Sequence, residues 1–320
     1  MELRREPGRR PGIDPHFDGR HYFNPEAQQA RGFLDVMRWQ RQRRPEPSPD
    51  WADDVAPTVP PARAEAGRLH VTFIHHATVL LQGPGWNLLT DPIWSERASP
   101  VSWLGPRRHR RPGVRQKDLP HIDAVLISHN HYDHLDWPTV RWLASRDHPH
   151  WVVPAGVGRW MQQRNIGPVW ELDWGESLTG ADLRLFSAPA AHFSARGLHD
   201  RNCTLWCGYV IETTVGMIYF AGDTGFGRHF AWIREQFGPP TLALLPIGAY
   251  APRWFMGPVH MAPEDALQAH EILGAGTSIA IHHGTFRLTD EALDTPRQRL
   301  EELAQGQTFY ALRPGESWVF

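Results

Sequence analysis

Ser128-His129-Asn130-His131-Tyr132-Asp133-His134 sets three imidazoles and one carboxylate close together, directly after the apolar run Ala124-Val125-Leu126-Ile127. In extended chain, residues two apart point the same way. His129 and His131 can therefore grip one cation, while Asp133 and His134, a turn further on, face a second. Four nitrogen and oxygen donors without a thiolate suit zinc, with manganese or iron as weaker candidates. A catalytic metal takes about three protein ligands and keeps a position open, so this stretch cannot complete the site alone. Later in the chain, three residues are candidates for the rest: His192 after Ala188-Pro189-Ala190-Ala191, Asp223 in Tyr219-Phe220-Ala221-Gly222-Asp223-Thr224-Gly225, and His282 in Ile279-Ala280-Ile281-His282-His283-Gly284-Thr285. Each follows an apolar run that reads as a strand and precedes small or turn-forming residues.

Working outward, the chain alternates between strand and helix signals. Leu69 to Ile74, Thr78 to Leu81 and Trp86 to Leu89 read as consecutive strands, with Gly83-Pro84-Gly85 as the turn before the last. A helix is expected from about Pro138, a strand around Trp151 to Val153 and a helix from Val157 to Arg164. Strands follow at Leu183 to Phe186, Gly208 to Glu212 and Met217 to Phe220. Buried strands at Leu242 to Leu245 and Ser278 to Ile281 flank a helix that starts at Pro263, with Glu264 and Asp265 in its first turn. Thr295-Pro296-Arg297-Gln298 reads as a capping box for a last helix. This is the pattern of an α/β protein. Residues 1 to 66 differ: they are rich in Arg and Pro, and Pro45, Pro47 and Pro49 forbid a helix there. They are expected to form an arm wrapped on the body, with one helix over Pro25 to Gln42 that offers Phe33, Leu34, Met37 and Trp39 as apolar contacts.

Composition narrows the function classes. The 320 residues suffice for a sizeable core. No apolar run approaches the roughly 20 residues of a membrane helix, and the charged opening Met1 to Glu6 reads as neither a secretory nor a lipidation signal, so a cytoplasmic site is expected. With 33 basic against 35 acidic residues, the chain lacks the broad positive charge of a duplex-binding protein, and no nucleic acid is expected as partner. Cys203 and Cys207 are too few to staple such a chain and read as small apolar residues. The 19 histidines are the unusual count, because imidazole is the commonest metal ligand and general base.

The set His129-x-His131-x-Asp133-His134, His192, Asp223 and His282 resembles the metallo-β-lactamase superfamily. Asp91-Pro92-Ile93, Arg97-Ala98-Ser99-Pro100, Pro246-Ile247-Gly248-Ala249-Tyr250, Pro252-Arg253-Trp254-Phe255-Met256 and His282-His283-Gly284-Thr285-Phe286 are, in addition, similar to the N-acylphosphatidylethanolamine-hydrolysing phospholipase D family, from about Gly67 to Phe320. The resemblance implies a four-layer αββα sandwich of two mixed sheets with helices outside and metals at one edge, formed by residues 67–320 behind the arm of 1–66. It implies two zinc ions, with manganese or iron(II) as substitutes: His129, His131 and His192 on the first, Asp133, His134 and His282 on the second, and Asp223 bridging both. Tyr132 and His260 match positions near the substrate phosphate, and Asp133 or His260 would move the proton. His283 stands where animal relatives have tryptophan, and the doubled histidine leaves the ligand ambiguous by one residue; motif alignment favours His282. The implied activity is hydrolysis of a phosphodiester in an N-acylphosphatidylethanolamine-like phospholipid by a hydroxide shared between the metals. The implied partners are that lipid and, transiently, the inner membrane surface, while a homodimer stays open.

Other readings carry less. His75 and His76 at a strand end read as structural or as braces for a ligand. Arg107-Arg108-His109-Arg110-Arg111 reads first as a solvated charged face, and only then as a phosphate contact. Trp94, Trp103 and Trp254 read as core or pocket fillers before lipid anchors. One Asp-Thr-Gly cannot make a two-carboxylate protease, and no Gly-x-Ser-x-Gly elbow supports a serine hydrolase. A flavodiiron-like redox role favours a carboxylate where His131 stands. The metal ligands alone do not separate a phospholipase from a lactonase or another hydrolase of small phosphorylated metabolites. A metal-stabilised membrane-binding module is the non-enzyme alternative, against which the complete ligand set speaks.

Overall fold

A computed structural model describes residues 2–6, 15–25 and 30–320. Two mixed sheets pack face to face. The first holds β2 (His70–His75), β3 (Thr78–Gly83), β4 (Trp86–Thr90), β5 (Ala124–Leu126), β6 (His150–Pro154) and β7 (Val169–Leu172) in sequential order, with β15 (Ser317–Val319) beside β2. The second runs β1 (Arg4–Glu6), β8 (Ser177–Thr179), β9 (Leu183–Ala188), β10 (Gly208–Thr213), β11 (Gly216–Phe220), β12 (Leu242–Pro246), β13 (Thr277–Ile281), β14 (Phe309–Tyr310). In each sheet an antiparallel meander passes into parallel strands, from β4 to β7 and from β11 to β14. Parallel strands need crossovers, and α-helices supply all of them except that from β4 to β5, which is a long loop.

The layers can be read from the core. Val71, Phe73, Leu81 and Leu88 of the first sheet meet Tyr209, Ile211, Phe220 and Leu244 of the second in one apolar cluster between the sheets. On the outer face of the second sheet, Phe230 and Ile233 of α4 (His229–Phe237), Ala266, Ala269 and Leu273 of α6 (Pro263–Leu273) and Leu300 of α7 (Thr295–Leu303) form another. On the outer face of the first, Val140 and Leu143 of α2 (Trp137–Arg146) and Val157 and Met161 of α3 (Val157–Gln162) form a third. The result is the expected αββα sandwich, in which strands buried on both faces carry the near-continuous apolar runs seen in the sequence. A short α5 (Arg253–Met256) follows β12.

The strands expected from pattern are present, with ends shifted by a residue or two, and α6 begins at Pro263 with Asp265 accepting a hydrogen bond from the Ala262 N–H. Three expectations need correction. The arm helix, α1, runs over Phe33–Gln42; the expected start at Pro25 leads into residues 26–29, outside the described residues, and Gly32 caps the observed helix. Of its apolar residues only Trp39 is buried, whereas Phe33 and Leu34 face solvent. At α7 the Thr295 hydroxyl donates to Glu46 of the arm rather than forming a capping box, and Asp294 is the N-cap. The basic run is no solvated face: Arg108 and Arg110 are buried, while Arg107 and Arg111 are exposed. Arg110 donates to Asp54, Asp294 and the Gly284 carbonyl, and so ties the arm to the loop after β13.

The described residues before Gly67 run over both sheets. β1 extends the second sheet at β8, Leu3 enters the core, and the Asn24 amide donates to the His192 carbonyl at 2.8 Å. No described helix is long and apolar enough to cross a membrane.

Candidate metal centre

The site lies where β2, β4, β5, β9, β11 and β13 end at one edge of the sandwich. Two glycines make the convergence sterically feasible. A Cβ at Gly222 would lie 2.6 Å from the Ser128 Cβ, and one at Gly248 would lie 2.1 Å from the His282 carbonyl oxygen. Both approaches are closer than any side chain permits. His76, Asp91 and His282 adopt left-handed backbone conformations (φ 49°, 34° and 59°), and such strain gathers at functional sites.

Two groups of donors face each other. In the first, His131 Nδ1 lies 2.8 Å from His129 Nε2 and 3.3 Å from His192 Nε2. In the second, the side chains of His76, Asp133, His134 and His282 converge, with Asp133 Oδ2 at 3.1 Å from His76 Nε2, 3.4 Å from His134 Nε2 and 3.5 Å from His282 Nε2. Asp223 stands between them: its Oδ2 lies 3.2 Å from His134 Nε2 and 3.0 Å from His282 Nε2, and 3.9 Å from the Nε2 atoms of His129 and His192. All these side chains are buried or nearly so.

The far side is held on three of the imidazoles: His129, whose Nδ1 lies 2.9 Å from the Ser128 hydroxyl, His134 and His192. His192 Nδ1 donates to the Val259 carbonyl at 2.9 Å, which leaves the Nε2 lone pair for the centre. His134 Nδ1 donates to Asp91 Oδ2 at 2.7 Å, and Asp91 also accepts from the backbone and hydroxyl of Ser128. This carboxylate–histidine pairing orients a metal-binding ring and raises its basicity. From sequence alone Asp91 and Ser128 have no role of their own; an acid closing an apolar strand is the signal that marks Asp91. His76 braces Asp133, the role considered for it.

Charge balance points the same way. Burial alone would favour the neutral carboxylic acids, yet His134 and His282 hold both Asp133 and Asp223 well below the usual carboxylate range. Conversely, burial works against charge on His282, but Asp223 and Asp133 push it up to about 9, and His134 is likewise raised well above its ordinary value. Burial keeps the other group neutral, with His131 lowered to about 4 and His129 and His192 well below 6.5. Without metal, protons on two imidazoles thus stand where cations would neutralise two carboxylates. Asp223 Oδ1 is buried without a hydrogen-bond partner, a cost of about 1–3 kcal/mol that a bound cation would remove. The His/Asp cluster is able to hold metal ions.

The remaining candidates fall as follows. His260 Nδ1 is 3.9 Å from Asp223 Oδ2 and unpartnered, and burial lowers its pKa to about 3. The Tyr132 hydroxyl donates to the Arg196 carbonyl, and the Arg196 guanidinium covers the Tyr132 ring at 4.1 Å. His283 turns away from the centre and stacks on Phe73, so the structure brings His282 rather than its neighbour to the cluster. Cys203 and Cys207 are free thiols, the latter buried.

Residues 86–283 match the family described as Beta-lactamase superfamily domain. The chain is 40% identical over 273 residues to N-acyl-phosphatidylethanolamine-hydrolyzing phospholipase D 1 of Caenorhabditis elegans, covering 80% of this chain and 76% of that protein. It is 36% identical to the mitochondrial N-acyl-phosphatidylethanolamine-hydrolyzing phospholipase D of Saccharomyces cerevisiae, over 69% of this chain and 48% of that one. Among solved structures, an isothiocyanate hydrolase from Delia radicum gut bacteria superposes with a TM-score of 0.65 at 21% identity, covering 78% of this chain and 98% of that one. A metallo hydrolase from Ignicoccus hospitalis does so with a TM-score of 0.60 at 21% identity, over 79% of this chain and 98% of that one. At that identity these two establish the fold alone. With the donor cluster, the family match and the worm relative together, the chain is a metal-dependent hydrolase and belongs to the metallo-β-lactamase superfamily, in the family of the N-acylphosphatidylethanolamine-hydrolysing phospholipases D.

Proposed function

We propose that the protein is a zinc-dependent phosphodiesterase of the phospholipase D type, acting on an N-acylphosphatidylethanolamine-like phospholipid. The observation that carries the reading is Asp223 Oδ2, within 3.0–3.9 Å of ring nitrogens from both donor groups. In this reading His129, His131 and His192 hold one zinc, Asp133, His134 and His282 hold the other, and Asp223 is shared. Bound there, the ions supply Lewis acidity that acidifies water and neutralises the non-bridging oxygens of a phosphodiester. Asp91, His76 and the Val259 carbonyl keep the ligand side chains in register. Asp133 is committed to His76, His134 and His282, so His260, neutral and with Nδ1 unpartnered, is the group free to carry the proton. Tyr132, pinned by Arg196 at the rim, is placed as a substrate contact. Residues 1–66 act as an arm that braces a catalytic body of 67–320, in a cytoplasmic protein that meets lipid at the inner membrane surface.

The sequence relatives named for N-acylphosphatidylethanolamine hydrolysis favour this substrate over a lactone. Mass spectrometry of products from that lipid, alongside release of nitrophenol from bis(p-nitrophenyl) phosphate, tests it. Phosphatidic acid and an N-acylethanolamine, formed with zinc and abolished by a chelator, are expected. Turnover of lactones with no cleavage of either diester would overturn the reading.

A further inference from the structure

We propose that the outward face of α1, together with the exposed apolar tips of two loops joined to the site, docks the protein on an anionic phospholipid bilayer. The proposal rests on the phospholipid reading and names the surface through which such a substrate is met. Residues three and four apart share a helix face, which places Phe33, Leu34 and Met37 on one side of α1 with Arg38 and Arg41 among them. Phe33 is 76% and Leu34 81% exposed, whereas Trp39, on the other side, is buried and stacks on Phe255. An amphipathic surface helix normally turns its apolar stripe inward. Here most of it faces water, and a contiguous exposed apolar patch marks an interaction site.

Two other segments repeat the pattern. Leu198, 94% exposed, tips the loop that follows His192, and that loop is joined to the arm by Arg201, which donates to the carbonyls of Ala30 and Arg31. Trp103, 73% exposed, tips the loop whose Ala98 packs in one cluster with Ile93, Phe286 and Tyr132. Each loop is also joined to residues of the site, the first through His192, which it follows, and the second through Tyr132. α1 rests on Phe255 and Met256, and the Met256 carbonyl accepts a hydrogen bond from the His260 N–H at 2.9 Å.

Apolar tips on three separate segments, each joined to residues of the site, fit a broad apolar slab better than a narrow peptide. The charge on α1 selects the kind of slab. Arg38 and Arg41 can extend their guanidinium groups to phosphate while their stems and the apolar neighbours sink toward the acyl boundary. Arg38 is already fixed over the Trp254 ring at 4.9 Å, at the edge of this face.

Co-sedimentation of the full chain with vesicles tests the proposal. Wild type is expected to sediment with phosphatidylcholine–phosphatidylglycerol vesicles, and less as salt is raised. The double substitution Phe33→Ser with Leu34→Ser should lower that partition by about tenfold or more. Arg41→Glu should weaken binding to the mixed vesicles while leaving binding to pure phosphatidylcholine unchanged. All three proteins should hydrolyse bis(p-nitrophenyl) phosphate equally, which shows that the variants are folded and separates docking from chemistry. A wild type that stays in the supernatant, or a double variant that sediments like wild type, overturns the proposal. So does light scattering in which the double substitution converts a dimer to a monomer without changing sedimentation. Absence of diester hydrolysis in wild type counts instead against the phosphodiesterase reading, with docking still judged by sedimentation.

Discussion

Asp91 shows how a side chain that need not touch a metal governs the site. Its Oδ2 receives His134 Nδ1 at 2.7 Å, and both its oxygens are occupied by Ser128 or His134. Asp91→Asn removes the negative charge and presents an amide that cannot serve all three donors. We expect metal affinity to fall by about 10–100-fold, measured by competition against a chromophoric chelator; unchanged affinity would show that the pairing is incidental. The protons on His282 and His134 allow a second expectation. Because His282 titrates near 9 in the metal-free protein, a cation must displace its proton at any lower pH. Affinity should therefore rise with pH from about 6 through about 9 as the His282 proton is lost, with protons released on binding. Competition titrations across that range, in buffers of different ionisation enthalpy, would contradict this if affinity and heat were pH-independent. The doubled histidine shows what spacing could not settle. His282 and His283 are equivalent as letters, and the choice is made by the left-handed turn at His282, which sends the next ring to Phe73.

The strands of the two sheets were legible because those buried on both faces must be apolar throughout, and the candidate ligands mark where they end. Elements whose partners are distant in sequence were not. β1, β7, β8, β14 and β15 are four residues or fewer, and edge pairing rather than composition defines them. α1 carries a plausible apolar stripe, but which side meets the body depends on α5, more than two hundred residues away. The basic run misled for a similar reason: its alternation of exposed and buried arginines follows an extended segment that threads between the arm and the loop after β13. Arg110→Ala should leave Asp294 without its buried partner and detach Asp54. We expect a loss of roughly 2 kcal/mol or more in urea unfolding, whereas Arg111→Ala, whose pairing with Asp53 is exposed, should stay within about 0.5 kcal/mol of wild type. Equal effects would mean that the buried network does not tie the arm to the body.

The sandwich brings six strand ends to one edge, so donors from His76 to His282 meet in a space that no local segment could build. The first cluster announced a metal site and the long motifs announced its family. What remained illegible was the packing that decides which nitrogen faces the centre: Asn24 on the His192 carbonyl, Val259 behind its ring, His76 behind Asp133. The most direct test is anomalous diffraction at the zinc edge from zinc-loaded crystals. We expect two peaks about 3.5–4 Å apart, one among His129, His131 and His192, the other among Asp133, His134 and His282, with the Asp223 carboxylate between them. A single peak, or a second peak on residues other than these, would contradict the dinuclear centre on which the proposed chemistry depends.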